Sequence, residues 1–96
     1  EPEEQLQWLI NADPIKDAKK ALKSKNYKFM AVLGYTWYLP GIDENKKFEY
    51  RKKYGIITIK GTSDVILGKE HRRLNKMAYQ YAEKYNKTIL NAINNE

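Results

Sequence analysis

The sequence predicts an α+β fold, a small two- or three-stranded sheet packed against a long C-terminal helix and short N-terminal helices. Three observations predict it. From Lys69 onward Leu74, Met77, Ala78, Tyr81, Tyr85, Ile89, Ala92 and Ile93 recur at helical spacing with no Gly or Pro between them. The stretch "YGIITIKG" gathers Ile56, Ile57 and Ile59 into a β-branched run between two glycines. "KFMAVLGYTWYLPG" follows the alternating period of a strand rather than the period of a helix.

The elements follow in order. "PEEQLQWLI" places acids in a first turn ahead of Leu6, Trp8, Leu9 and Ile10, which predicts a short helix from about Pro2 to Asn11. Asp13 is a natural N-cap and Pro14 suits the first helical position. Ile15, Ala18, Ala21 and Leu22 then mark a second helix with Lys16, Lys19, Lys20 and Lys23 opposite and Asn26 as its stop. In the strand expected over Phe29 to Leu39 both faces are largely apolar, as for a strand covered on both sides, and Gly34 is a candidate bulge. Pro40 and Gly41 form a turn. In "DENKKFEYRKKYG" Asp43 caps a short helix ending near Gly55, the alternative being a solvated loop with Phe48 and Tyr50 tucked inward, and Ile56 to Lys60 is the next strand. Two strands make a poor sheet by themselves, so a further strand is expected from the middle segment or from a partner chain.

Ninety-six residues make a single domain, residues 1–96. A mean hydropathy of −0.81 would suit a disordered chain. The ordered apolar blocks and the ten Tyr and Trp residues argue for a folded one, with Trp8, Phe29, Trp37 and Phe48 as its large anchors. The absence of cysteine removes disulfides, thiolate zinc sites and cysteine nucleophiles together. The chain starts at Glu1 rather than Met, which points to something trimmed upstream, and an exported or periplasmic bacterial protein is the expectation.

The net charge of +6 is uneven. Residues 1–13 carry four acids and no base, residues 14–60 carry twelve bases against four acids, and residues 61–96 carry six against four. The basic surface therefore belongs to the middle of the chain. Only Arg51, Arg72 and Arg73 among the 18 bases are arginine, the side chain whose rigid fork suits specific phosphate recognition.

A chemically suggestive cluster lies in "GTSDVILGKEHRR", with Ser63, Asp64, Glu70, His71 and Arg72. A Ser/His/Asp triad needs an acid placed separately from its base and a nucleophile beside oxyanion donors, whereas here all candidates fall in one short stretch without a nucleophile elbow. A metal site from Asp64, Glu70 and His71 lacks a second histidine, and adjacent helical residues point about 100° apart. The simpler reading gives Thr62, Ser63 and Asp64 to a turn that bonds nearby backbone amides. No phosphate loop or dinucleotide fingerprint is present, and no cofactor or metal is expected. The "NKT" sequon at Asn86 falls within the long helix and reads as chance.

Base and aromatic residues interleave in "NYKF" and "KKFEYRKKYG", and Lys46, Lys47, Tyr50, Arg51, Lys52, Lys53 and Tyr54 form the candidate ligand or partner surface. The expected function is a small non-catalytic binding or accessory domain with a protein partner or self-association. The alternative is single-stranded nucleic acid, with lysines on phosphate and Tyr50 or Tyr54 stacking on bases. An anionic membrane surface, met by the lysine face of the second helix, ranks below both.

Overall fold

The structure, a computed structural model, describes residues 6–32, 39, 41–59 and 69–95. A 3-10 helix at Gln7–Asn11 stands where the sequence predicts an α-helix. Its C-terminal end has a local cause, since Pro14 favours the extended backbone of Asp13 and keeps the helix from running on, and residues 2–5 of the predicted helix lie outside the described residues. Leu6 and Leu9 are buried, but Trp8 is 45% exposed and meets the Tyr81 ring edge-on, with centroids 5.1 Å apart.

Helix α1 (Pro14–Ser24) starts as expected, with the Asp13 carboxylate accepting from the Lys16 N–H at 3.1 Å. It stops one residue before Asn26, at Lys25, which takes a left-handed conformation with φ 59°. Strand β1 (Phe29–Val32) is buried at all four positions, and Leu39 is buried as well. The remainder of the strand predicted to Leu39, with Gly34, Tyr35, Trp37 and Tyr38, lies outside the described residues.

The middle segment is helical, so it adds no strand. Helix α2 (Glu44–Tyr54) begins at Asp43, whose carboxylate accepts from the Asn45 N–H at 2.7 Å. It ends at Gly55, where φ of 92° favours glycine. Strand β2 (Ile56–Ile59) pairs parallel to β1, with Phe29 opposite Ile56 and Val32 opposite Ile59. The described sheet thus has two strands joined by a crossover that contains α2.

Helix α3 (Lys69–Asn94) packs on α1, β1 and the 3-10 helix. Leu74, Ala78, Tyr81, Tyr85 and Ile89 of its predicted stripe are buried, and Met77 and Ile93 lie at the margin. Ala82 and Asn86 are buried too, although the apolar pattern passes over both. The Tyr81 hydroxyl donates to Asp17 of α1 at 2.7 Å, tying the two helices together. Asn86 is fully buried. Its Oδ1 accepts from the Met30 N–H at 2.7 Å and its Nδ2 donates to the Met30 C=O at 2.9 Å. One side-chain amide therefore bonds the outer edge of β1 as a neighbouring strand would. A side chain so engaged is no acceptor for a glycan, which disposes of the sequon.

Candidate partner-binding surface

The parallel register decides where the basic and aromatic residues meet. Continuing it backwards from Phe29 and Ile56 sets Lys28 opposite Gly55 and Tyr27 opposite Tyr54. The side chains agree. The Tyr27 and Tyr54 rings stack with centroids 5.4 Å apart and planes 22° from parallel. A Cβ built on Gly55 would lie 3.5 Å from Cδ of Lys28, so the Lys28 stem runs beside that glycine. Lys25, the exposed cap of α1, precedes this pair by two residues, and Arg51, Lys52 and Lys53 form the last basic turn of α2.

Two chain segments thus bring five cations to one end of the sheet. No acid lies between Asp17 and Asp43, or between Glu49 and Asp64, and the acid nearest the cluster in sequence is Glu49, one helical turn before Lys52 and Lys53 on α2. The three cations at the C-terminus of α2 sit favourably on the helix dipole, which offsets part of their mutual repulsion.

The predicted surface residues divide by face. Tyr50 and Tyr54 turn inward: their centroids lie 5.9 and 5.8 Å from that of Phe29, and the Tyr50 hydroxyl donates to Asn94 at 3.4 Å. Lys46, Arg51, Lys52 and Lys53 are exposed, and Lys47 pairs with Glu44 at 3.4 Å. The Lys53 ammonium lies 5.3 Å from the Tyr54 ring centroid. Phe48 is 60% exposed rather than a core anchor, with the Lys52 ammonium 4.8 Å from its ring centroid. Tyr27, Lys25 and Lys28 complete the cluster without having been singled out in advance, although "NYKF" and "KKYG" carry the same base-aromatic pattern.

The second candidate cluster is only partly in view. Ser63 and Asp64 lie outside the described residues, and Glu70 and His71 are placed by their backbone in the first turn of α3. Arg72 is exposed and lines an open groove with Asn75, Lys76, Tyr79, Gln80 and Glu83. Among the described residues no group of three or more His, Asp or Glu side chains is placed to hold a metal ion. The lysine face of α1 is exposed as expected, and Lys16, Lys19, Lys20 and Lys23 line a shallow groove with Asp13 and Ile15. No described helix is long and apolar enough to cross a membrane. The chain matches no protein-family model, no curated protein and no solved structure.

Proposed function

We propose that this protein is a non-catalytic binding domain whose basic end engages an acidic protein partner. The observation that supports the reading is the Tyr27–Tyr54 stack with Lys28 running beside Gly55 and Lys53 lying over the Tyr54 ring, and with Lys25, Arg51 and Lys52 close by in the same two segments. Rings already packed on one another and on Phe29 make a stiff floor, so recognition falls to the cations above it. Lysine, a strongly hydrated point charge, suits carboxylates that keep much of their water.

Single-stranded nucleic acid is the second reading, and Phe48 favours it. Tyr50 and Tyr54 have their rings engaged within the protein, whereas Phe48 offers an exposed ring beside Lys52.

An amide NMR titration separates the two, using a short glutamate-rich peptide and a mixed single-stranded oligonucleotide pool at low and near-physiological salt. The first reading expects the peptide to shift Lys25, Lys28, Lys52 and Lys53. It also expects a Lys28→Glu/Lys53→Glu variant to bind at least about tenfold more weakly. Shifts spread over every lysine face that vanish with added salt would overturn it and leave the charge as a solubility feature. Oligonucleotide shifts centred on Phe48 would put the second reading first.

A further inference from the structure

The two edges of the sheet are treated differently by the rest of the chain. On β1 the outward N–H and C=O of Met30 are both taken by Asn86. On β2 the pattern follows from one bond: the Phe29 N–H donates to the Gly55 C=O at 3.0 Å. In a parallel ladder, residues two apart on a strand share a side, so Gly55, Ile57 and Ile59 face β1. The backbone groups of Ile56 and Thr58 therefore point the other way, and no described residue bonds to them.

Among the described residues, the strand is exposed at its middle, between a half-buried Ile56 and a buried Ile59. Ile57 is 43% exposed and Thr58 is exposed, and successive side chains point to opposite faces. Folded proteins usually blunt such an edge with a charge, a proline or a bulge, and "IITI" carries neither charge nor proline. Its charges lie at its ends instead, with Lys52 and Lys53 before it and Lys60 after it in sequence.

We infer that the outer edge of β2 docks an extended acidic segment of the partner as a third strand. The inference rests on the binding reading above and gives that partner a conformation. The Ile56 and Thr58 N–H and C=O groups supply the main-chain bonds, Ile57 supplies an apolar contact, and acids flanking the docked segment meet Lys28, Lys52 and Lys53. Charge selects this occupant over a second copy. Another copy brings the same +6 and the same lysines at the ends of β2, so edge-to-edge pairing sets like charges against each other. A four-residue strand spans roughly 13 Å, so the docked stretch is short and its affinity depends on the flanking charges.

The test uses the full chain and a peptide of alternating valine and glutamate, compared with the same peptide N-methylated at alternate amides. Amide exchange and NMR shifts are read residue by residue. The expected result is protection of the Ile56 and Thr58 amides by at least about tenfold with the unmodified peptide and none with the methylated one. Thr58→Pro should abolish the effect, because the N–H it removes faces away from β1 and carries no ladder bond. If that variant does not fold, the two peptides on the unaltered chain still decide. Equal binding of both peptides, with shifts confined to Lys25, Lys28, Lys52 and Lys53, would overturn strand docking and leave the binding reading standing. Protection of Ile56 and Thr58 that rises with protein concentration alone would overturn it by making a second copy the occupant. No shift with either valine–glutamate peptide would also overturn it, and the glutamate-rich titration would then judge the binding reading separately.

Discussion

Replacing Asn86 with leucine removes two hydrogen bonds and keeps the number of side-chain heavy atoms, so it leaves no cavity and tests chiefly the polar contribution of one buried side chain. The Met30 N–H and C=O lose their partners at 2.7 and 2.9 Å at a site with no solvent exposure. A buried polar group left without a partner costs about 1–3 kcal/mol, so two cost about 2–6 kcal/mol. Relief from burying the amide and the gain from an apolar side chain return about 1–3 kcal/mol of this. We expect Asn86→Leu to lose about 2 kcal/mol and Asn86→Ala, which also leaves a cavity, about 4 kcal/mol. For a small domain the second figure approaches the whole of its stability. Urea denaturation followed by far-ultraviolet circular dichroism measures both, and amide exchange at Met30 gives the local readout. Asn86→Asp adds a check of sign. A neutral carboxylic acid both donates and accepts, so it can keep both bonds, whereas its ionised form loses the donor and buries a charge; that variant should gain stability as pH falls. An Asn86→Leu protein within about 0.5 kcal/mol of the parent, with Met30 still protected, would refute the assignment of the β1 edge to this side chain.

The remaining predictions concern the cap, the tyrosines and the aromatic anchors. Lys25→Gly should stabilise the fold by about 0.5–1 kcal/mol in the same urea titration, because the left-handed cap at φ 59° strains any residue with a Cβ. The Tyr81 and Tyr85 hydroxyls are both held above the ordinary phenol value of 10.0, first by burial. For Tyr81 the hydrogen bond and charge of Asp17 add to this, and for Tyr85 the charge of Asp17 does. Their neutral forms are the ones the fold favours. Their stabilising contribution is therefore complete below about pH 10 and falls above it, where the unfolded chain releases protons that the folded chain retains. Melting temperatures across alkaline pH should drop, and Tyr81→Phe should lessen that drop while costing about 1.5 kcal/mol at neutral pH. Phe29→Ala should cost about 3–5 kcal/mol, because the ring is fully buried against Tyr50 and Tyr54. Phe48→Ser should stay within about 0.5 kcal/mol of the parent, and a loss as large as that of Phe29→Ala would contradict the exposure of Phe48.

The local signals in the sequence were sufficient wherever structure depends on near neighbours. Asp13 with Pro14 and Asp43 with Gly55 mark the starts of two helices and the end of one, because caps act within a turn of the backbone they satisfy. The α3 stripe was legible for the same reason, since helical spacing alone puts Leu74, Ala78, Tyr81, Tyr85 and Ile89 on one side. The exposed lysines of α2 were legible too, but the role of its tyrosines was not. Base-aromatic alternation reads the same whether the rings face solvent or Phe29, and α2 has no apolar stripe to show which way it faces.

What the sequence by itself determined, then, is the α+β class, the long C-terminal helix, the caps that start α1 and α2, and that positive charge gathers mid-chain. Only the tertiary structure decided that β1 and β2 run parallel, because the same alternating pattern serves either direction. Direction in turn decided the candidate surface. An antiparallel pair would have sent Tyr27 and Tyr54 to opposite ends of the sheet, and the parallel one stacks them with the lysines of both segments alongside. The role of Asn86 was also out of reach of sequence reasoning, since a polar residue on an apolar stripe becomes favourable only when a distant backbone edge is brought within hydrogen-bonding distance.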